Sequence, residues 1–467
     1  MAVNVITSKL AEFAIETPTS DVPDVAMDAA CNGMIDVMAC ALAGTLEPAA
    51  RIAANWVADA GAKRQVTVWG RSLSTSADLA AFANGVAAHA LDFDDSHPSV
   101  RGHASASLVP TAIAVGEASG ASGEAILAAY AIGIEVAGKM GRAFGHGLVR
   151  GGWHPTAVVG AIASTAVAAR LFGHDAATLR RAWGIAGSEV GGLVRNFGTM
   201  TKPLHAGHAA RSGVVAASLA GAGMTADSGI FEGAGGVLDV YGAEGESPEE
   251  LVNELGKVWE IVEPGNFVKQ WPCCYSNHRV IGALFRLVRE HGITADEVEN
   301  VVVSFLPSGD SALVSRQPKT GLEGKFSIEY VVAALLLDGA LTLETFTDEM
   351  VMRPEAQALI GKVRRETIPD TMHYTGLVGY NMISVATKLQ RFETREDRTP
   401  GSPAWPLSET ERSAKFMSCA SLALGEADAR ALLGLLRMCR QIERSEVLGK
   451  ATVPHPALAS ARERTTA

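Results

Sequence analysis

Met34-Ile-Asp-Val-Met-Ala-Cys-Ala-Leu42 is the stretch that decides the fold class. Its apolar side chains at positions 34, 37, 38, 41 and 42 recur with the period of an α-helix that buries one face. Alanine is dense on both sides of this stretch, so we expect packed helices up to about residue 265. Within them, residues 65–69 are a possible short strand. Three prolines stand where a helix can begin, the position that proline tolerates best: Pro48, Pro155 and Pro203.

The sequence changes character near Trp271. Residues 300–305 are rich in β-branched side chains and predict a strand. Helical patterns flank this strand at residues 279–291 and 328–337, and a further helix and strands are expected between residues 354 and 392. This part of the chain therefore predicts a mixed α/β unit.

A segment rich in proline, glycine and serine, residues 399–403, marks the end of the mixed unit. Helical patterns then resume at residues 411–424 and 427–444. We predict a mainly α protein in which a large all-helical domain is interrupted by a smaller, inserted α/β domain. The large domain comprises residues 1–269 and 399–467, and the small domain comprises residues 270–398.

The composition excludes two broad classes of protein. The chain has 467 residues, of which 48% are hydrophobic and 19% charged, so it is too apolar to be disordered. Its 40 Lys and Arg against 51 Asp and Glu give a formal net charge of −11. Because a general nucleic-acid binder needs a basic surface, we expect no nucleic-acid partner.

The cysteines and the apolar runs bear on the compartment. Six cysteines, none in a CxxC pair, fit a reducing cytosol and predict neither a zinc site nor a disulfide framework. The first residues lack the basic and apolar regions of a signal peptide. Apolar runs such as residues 155–169 are shorter than the roughly 18 residues that suggest a membrane span. We therefore expect a cytoplasmic protein with no membrane partner.

Positive charge and histidine are concentrated in one stretch. Residues 97–211 contain ten Lys and Arg against five Asp and Glu, and seven of the 12 histidines. An acidic protein with one basic, histidine-rich stretch is typical of an anion-binding centre, although chance clustering gives the same counts. Motifs for nucleotide binding, zinc proteolysis and serine hydrolysis (GxxxxGK[ST], GxGxxG after a strand, HExxH and GxSxG) are absent from the sequence. We predict no cofactor.

The segment Leu91-Asp-Phe-Asp-Asp-Ser-His97, followed by His103, places acids close to imidazoles. Such a group could bind a metal, form a base with its orienting carboxylate, or make a structural polar turn. A metal site needs at least three converging ligands, which the sequence alone does not show.

Two segments place a basic residue at the start of a helix. Gly151-Gly-Trp-His-Pro-Thr156 and Gly198-Thr-Met-Thr-Lys-Pro-Leu-His205 each combine a glycine-containing loop, a basic residue and a proline. His154 and Lys202 then lie beside unpaired backbone N–H groups at the positive end of a helix dipole, where a carboxylate is stabilised. His103 precedes a helical run in the same way. The alternative is a set of solvated helix caps.

Lys269 lies in Val268-Lys-Gln-Trp-Pro-Cys-Cys-Tyr275, where the two predicted domains join. Ligand sites favour such junctions, so Lys269 could complete an anion site, or its stem could pack on Trp271. We interpret the adjacent Cys273 and Cys274 as buried thiols.

The chain resembles the MmgE/PrpD family, which includes 2-methylcitrate dehydratase, cis-aconitate decarboxylase and iminodisuccinate epimerase. The resemblance rests on five motifs in the expected order: Leu91-Asp-Phe-Asp-Asp-Ser96, Gly152-Trp-His-Pro-Thr156, Thr201-Lys-Pro-Leu-His-Ala-Gly207, Lys269-Gln-Trp-Pro-Cys-Cys274 and Lys325-Phe-Ser-Ile-Glu-Tyr330. It implies the same two-domain architecture, usually in a homodimer. It also implies a pocket formed by Asp92, Ser96, His103, His154, Lys202, Lys269 and Tyr330.

The reactions that the resemblance implies take place at carbons next to carboxylates, and they need an acid or base near the carbon and fixed positive charge near the oxygens. We predict that His103 is the acid/base and that Asp92 orients it or tunes its pKa. Lys202, Lys269 and His154 are predicted to hold carboxylates and stabilise the developing charge. Four further residues are predicted to contact the substrate, and one of them, the tyrosine, could transfer a second proton: Ser96, His97, His205 and Tyr330.

Three functions stay open from the sequence. The leading hypothesis is a cofactor-independent, metal-free lyase, a dehydratase or a decarboxylase, that acts on a di- or tricarboxylate. The alternative is an isomerase that epimerises a related dicarboxylate such as iminodisuccinate. The third is a non-catalytic protein that binds small anions.

Overall fold

The computed structural model describes residues 5–369 and 379–455. Their helices are α1 Val5–Glu16, α2 Asp24–Gly44, α3 Pro48–Asp59, α4 Ala77–His89, α5 Ser105–Ser119, α6 Gly123–Phe144, α7 Gly147–Arg150, α8 Pro155–Leu171, α9 Ala176–Ala186, α10 Thr201–Gly221, α11 Val237–Val240, α12 Pro248–Asn253, α13 His278–His291, α14 Gly321–Gly324, α15 Ile328–Asp338, α16 Asp348–Met352, α17 Pro354–Ile360, α18 Glu409–Leu424, α19 Glu426–Arg437 and α20 Glu446–Lys450. The strands are β1 Val66–Val68, β2 Leu73–Thr75, β3 Val298–Phe305, β4 Val363–Thr367, β5 Asn381–Thr387 and β6 Arg391–Glu396. The protein is mainly α with small sheets, as the sequence predicts.

Small residues set the spacing of the central helices. Gly85 of α4 faces Gly207 of α10 so closely that a Cβ on Gly85 would lie 2.8 Å from the Cα of Gly207. The two helices run antiparallel here, so the end of α4 comes beside the start of α10. His89, the last residue of α4, therefore meets Lys202, the second residue of α10, at a distance of 2.6 Å.

The large helical part is not all-helical, which corrects the description of that domain, whereas the short strand expected within residues 65–69 forms as β1. β1 and β2 form an antiparallel pair in the register Val66–Thr75. The β-branched run Val66-Thr-Val68 explains the strand. Gly70, with φ of +70°, makes the turn between the two strands.

A four-stranded sheet forms in the predicted mixed region. Its order is β4-β3-β5-β6, with β3 parallel to β4 and antiparallel to β5. Helices α13 and α15 pack beside it. The strand predicted at residues 300–305 forms as part of β3, and the strands expected before residue 392 are β4, β5 and the start of β6. Residues 370–378, which belong to the same predicted region, lie outside the described residues.

The buried apolar side chains form two clusters. One draws on residues 6–261 together with 416–448, and the other on residues 271–385. The first cluster therefore joins the start of the chain to its last described helices. The insertion of a small domain, with boundaries at 269/270 and 398/399, stays a prediction.

Among the described residues, α2 is long and apolar enough to span a membrane by length and composition. The helix that begins the sequence argument is thus an exception to the expectation that the apolar runs are shorter than a membrane span. The structure buries 67% of its most apolar window, and the helix contacts α4, α6 and α18. A core helix passes the same test of length and composition, so this feature is weak evidence for a membrane span.

Candidate active site

A cavity opens between the large helical part and the region around the four-stranded sheet. Its lining combines basic, acidic, hydroxyl and aromatic side chains from both parts: Asp92, Ser96, Arg101, Gly102, His103, Val149, His154, Pro155, Val194, Phe197, Lys202, Cys274, Tyr275, Ser276, Ser311, Ala312 and Phe326. Five of the nine predicted site residues are in this lining. The junction predicted from the position of Lys269 is thus the place where the cavity lies.

The loop after α4 has an unusual backbone. Asp92 has a φ of +53°, a left-handed conformation that few residues other than glycine, asparagine and aspartate adopt. Three consecutive carbonyl oxygens of this loop, those of residues 91, 92 and 93, each accept a hydrogen bond from a lysine ammonium. The donors are Lys325, Lys269 and Lys415, at distances of 2.7, 2.6 and 2.9 Å. These distant segments of the chain fix the loop.

The Asp92 carboxylate bridges two buried ammonium groups. Its Oδ1 lies 2.6 Å from Nζ of Lys202, and its Oδ2 lies 3.0 Å from Nζ of Lys269. Burial alone would raise the pKa of Asp92, but the two lysines hold it well below its usual range. Burial would likewise lower the pKa of Lys269, but Asp92 and Asp94 raise it. The site therefore carries fixed, paired charge.

The ring of His103 has one nitrogen engaged and one open. Its Nδ1 lies 2.8 Å from the carbonyl oxygen of Asp95 and 3.2 Å from Oδ2 of Asp94, so Nδ1 carries a proton. No described residue makes a hydrogen bond to Nε2, which lies 3.9 Å from Oδ1 of Asp92. The prediction that Asp92 orients the ring is therefore wrong, because Asp94 and the Asp95 carbonyl hold it. Burial lowers the pKa of His103, although Asp94 opposes the shift. The free site thus holds a neutral imidazole whose Nε2 can take up a proton.

His154 directly precedes α8, as the sequence predicts. Helix α10 begins at Thr201, two residues before the predicted Pro203, so Lys202 lies in its first turn. Nδ1 of His154 lies 3.0 Å from Nδ1 of His205, so one of the two rings donates to the other. Burial and the charge of Lys202 hold the pKa of His154 well below its usual range. Nζ of Lys202 lies 5.3 Å from the ring centroids of both Phe197 and Phe326, so aromatic faces surround the ammonium.

The predicted residues fall into three groups by position. Asp92, Ser96, His103, His154 and Lys202 line the cavity, whereas Lys269 and His205 lie behind it and contact the lining. The structure brings neither His97 nor Tyr330 to the cavity. The His97 ring donates to the carbonyl oxygen of Glu260, and the Tyr330 hydroxyl donates to that of Thr345 within the second apolar cluster.

Sequence reasoning missed five residues of this site: His89, Asp94, Arg101, Phe197 and Phe326. Asp94 was inside the quoted acidic motif, but nothing in the motif distinguishes it from its neighbours. His89 lies three residues before Asp92, at the end of an alanine-rich helix. The short separation of five residues between His89 and Asp94 could have indicated a hydrogen-bonded pair. Arg101 has a φ of +56° and donates to the carbonyl oxygens of Ser99 and Gly141.

One group in the described residues has the composition of a metal site. His89, Asp94 and His103 offer ligand atoms that all lie within 4.8 Å of one another. However, the imidazole nitrogens aimed at Asp94 lie 2.9 and 3.2 Å from its oxygens, which are hydrogen-bond distances. The ammonium of Lys202, 2.6 Å from the other nitrogen of His89, would also repel a cation. Both observations favour a hydrogen-bonded network, and the absence of a metal stays a prediction.

Two family models match most of the chain. Residues 8–250 match the MmgE/PrpD N-terminal domain, and residues 271–439 match the MmgE/PrpD C-terminal domain. The chain belongs to the MmgE/PrpD family. The resemblance carried by the five motifs is therefore confirmed.

Several similar MmgE/PrpD proteins are named for the same reaction. The cis-aconitate decarboxylase of Mus musculus is 33% identical over 82% of this chain and 80% of its own length. That of Homo sapiens is 30% identical over 89% of this chain and 88% of its own length. A third, from Aspergillus terreus, is 27% identical over 77% of each chain. These relatives support an MmgE/PrpD enzyme of the decarboxylase or dehydratase type that acts on a small carboxylate.

Proposed function

We propose that this MmgE/PrpD protein is a lyase that removes CO2 from an unsaturated tricarboxylate of the cis-aconitate type, with no metal or organic cofactor. The observation that carries the proposal is the open Nε2 of His103 in a cavity that also contains Lys202 and Arg101. This arrangement supplies one proton-transfer group beside fixed cations. The names of the similar proteins support the choice of substrate.

The reaction needs one proton and a place for negative charge. In such a substrate, one carboxylate is attached to a CH2 group next to a carbon–carbon double bond. When the bond to this carboxylate breaks, its electron pair forms a new double bond and the old π pair moves to the far carbon. That carbon then takes a proton, so one CO2 leaves and one proton is consumed.

His103 supplies the proton in this scheme. The free imidazole is neutral, but a bound tricarboxylate brings up to three negative charges into the cavity and so favours the imidazolium. The ring then carries its second proton on Nε2, which faces the cavity, while Nδ1 stays bonded to the loop. After delivery to carbon, His103 returns to the neutral form of the free site.

The cations hold the remaining carboxylates and the developing charge. Lys202 already gives hydrogen bonds to Asp92 and His89, which leaves its third N–H for a substrate oxygen. Arg101 adds a second cation in the cavity lining. Fixed donors of this kind stabilise an anionic transition state without having to reorganise, and in many enzymes this stabilisation contributes most of the rate enhancement.

The test follows the protein with candidate substrates in D2O by NMR. We expect cis-aconitate to lose CO2 and gain one deuterium at carbon, while citrate, 2-methylcitrate and iminodisuccinate stay unchanged. The variant His103→Gln should lower turnover by at least about 100-fold, the usual scale of general acid–base catalysis. His174→Gln makes the same change at a ring that donates to Ala217, and it should leave turnover near normal.

Other outcomes would replace the proposal. Deuterium exchange with inversion of iminodisuccinate would identify the epimerase alternative, and loss of water from 2-methylcitrate would identify a dehydratase. Binding of all four compounds without exchange would favour the anion-binding protein. The homodimer and the cytoplasmic location also stay proposals, and light scattering of the purified protein tests the first.

A further inference from the structure

His89 is a buried residue of the site to which the proposed mechanism gives no role. It ends α4, and its side chain is fully buried. Its ring centroid lies 4.6 Å from that of His103 and 5.9 Å from that of His154. A histidine in this position could simply fill space, so its hydrogen bonds decide between packing and a more specific role.

Both ring nitrogens of His89 have charged partners. Nδ1 lies 2.9 and 3.0 Å from the two oxygens of Asp94, and Nε2 lies 2.6 Å from Nζ of Lys202. Because the carboxylate accepts and the ammonium donates, the ring carries its proton on Nδ1 and a lone pair on Nε2. Burial, aided by the charge of Lys202, lowers the pKa of His89 to about 3 and keeps the ring neutral.

The two hydrogen bonds of His89 lead to the two groups that the mechanism uses. On one side, the ring fixes Lys202, whose ammonium also reaches Oδ1 of Asp92 at 2.6 Å. With two N–H groups engaged, the direction of the third is set. On the other side, Asp94 is shared with His103, whose Nδ1 lies 3.2 Å from Oδ2 of Asp94. The shared carboxylate helps to keep the proton of His103 on Nδ1, so Nε2 stays open.

We propose that His89 is a positioning residue that aims the Lys202 ammonium into the cavity and, through Asp94, sets the orientation of the His103 ring. This role rests on the proposed lyase function. Hydrogen bonds to charged groups are shorter and stronger than neutral ones, so a ring that makes two of them restrains its partners more than a packed ring does.

Two amide variants separate the two halves of this role. The amide of asparagine lies near the position of Nδ1, and that of glutamine lies near the position of Nε2. His89→Asn therefore keeps a donor to Asp94 and loses the acceptor for Lys202. His89→Gln keeps an acceptor for Lys202 and loses the donor to Asp94. The pair His174→Asn and His174→Gln controls for the loss of a partly buried imidazole elsewhere.

The variants should change different kinetic parameters. His89→Asn should raise KM for cis-aconitate about 10-fold, with little change in the pH profile of kcat. The size is taken by analogy from metal sites, where loss of a residue that only orients a ligand has a similar effect. His89→Gln should instead move the basic limb of that profile to higher pH. Its Asp94 carboxylate has lost one donor and acts more strongly on the His103 imidazolium. Both variants keep the other charged or titratable groups that lie around His103 or line its cavity: Asp92, Arg101, His154, Lys202, Lys269, Cys274 and Tyr275.

Three measurements make the proposal refutable in every case. If both variants fold and show the wild-type KM and pH profile, His89 only fills space and the proposal is wrong. If the variants do not fold, 15N NMR of histidine-labelled wild-type protein decides. The proposal requires His89 to stay neutral with its proton on Nδ1 between pH 6 and 8, and a charged ring or a proton on Nε2 overturns it.

The third measurement separates this proposal from the lyase function. If wild-type protein does not decarboxylate cis-aconitate, calorimetry measures the affinity for propane-1,2,3-tricarboxylate, a saturated analogue. This affinity depends on the position of the Lys202 ammonium and needs no turnover. Binding about 10-fold weaker in His89→Asn than in His89→Gln supports the positioning of Lys202. Equal binding in the two variants overturns it.

Discussion

Replacement of Asp92 by asparagine tests the charge balance of the site. Asparagine tolerates the left-handed backbone at this position, so the loop is kept while the counter-charge of Lys202 and Lys269 is removed. Loss of one partner of a buried charge pair costs about 3–5 kcal/mol because the other charge stays buried. Asp94 still attracts Lys269, so we expect the lower end, about 3 kcal/mol of unfolding free energy.

The same substitution should make the protein more dependent on its ligand. With Asp92 neutral, the carboxylates of a bound tricarboxylate become the counter-charge of the two lysines. A ligand that binds only the folded state stabilises it in proportion to its affinity. At one fixed concentration, propane-1,2,3-tricarboxylate should therefore raise the unfolding free energy of Asp92→Asn more than that of the wild type.

Urea unfolding at pH 7.5, followed by circular dichroism with and without the ligand, measures both quantities. Asp36→Asn is the matched control. Asp36 forms a buried pair with Lys415 at 2.6 Å but is not part of the cavity lining. It should lose stability without gaining ligand dependence. The reasoning is refuted if Asp92→Asn lies within about 1 kcal/mol of the wild type and responds to the ligand to the same extent.

Three further predictions concern packing, pH and metals. Gly207→Ala places a Cβ 2.5 Å from the carbonyl oxygen of Phe82, so it should lower the unfolding free energy by about 1–3 kcal/mol and, by moving Lys202 away from His89, lower turnover. Gly434→Ala, whose Cβ on α19 meets no atom within 4 Å, should not lower the unfolding free energy, and equal thermal stability of the two variants would contradict this account. Burial and the charge of Lys269 lower the pKa of His278 to about 3. The unfolded chain protonates this ring below about pH 6.5 and the folded protein does not, so its contribution to stability is lost as the pH falls. From pH 6.5 to 5.0 the wild type should thus lose about 2 kcal/mol more unfolding free energy than His278→Gln, which keeps a donor to Cys273, and parallel pH curves would show that the ring is not held neutral. Dialysis against a chelator should leave decarboxylation unchanged because hydrogen bonds occupy the His89, Asp94 and His103 group, and activity restored only by added metal would reject that assignment.

The sequence predicts the parts of the site that have a local signal. His154 and Lys202 are marked by the proline-containing helix starts beside them, and Asp92 by its acidic motif. The structure brings these residues together in one cavity. The sequence shows the order of these residues along the chain but not the distances between them. The close approach of α4 and α10 at Gly85 and Gly207 brings Lys202 to the loop that carries Asp92.

The residues that sequence reasoning missed act through long-range contacts. Lys415 donates to the loop across a separation of 322 residues, and no local pattern marks it. Lys325 donates across 234 residues; it begins a quoted family motif, but the motif does not indicate this contact. His89 resembles an ordinary core histidine because its neighbours are alanines. Tyr330 lay in a family motif, yet its hydroxyl is turned into the second apolar cluster, where Thr345 accepts its hydrogen bond.

Tertiary contacts also changed the ends of elements. The helix predicted over residues 427–444 stops at Arg437. Beyond it, the carbonyl oxygen of Ile442 accepts a hydrogen bond from the N–H of Gly123, and the N–H of Ser445 donates to Ala121. These bonds tie the backbone to the start of α6 and take it off the helical path. The apolar periodicity of the sequence favours a longer helix, but these contacts with residues 121 and 123 end it earlier.

The three lysines that donate to the loop at residues 91–93 all lie in the second half of the chain, so a truncated gene that encodes only the first half lacks them. A chain cut after residue 250 would keep α1 to α11 and match the N-terminal family domain, but it would lack Lys269, Lys325 and Lys415. Three adjacent carbonyl oxygens would then lose their donors, at about 1–3 kcal/mol for each one left buried. The loop would rearrange, and Asp92 would lose its place. A gene fragment that encodes only this half therefore lacks the contacts that shape the candidate site, and complementation would need the missing half supplied as a separate polypeptide.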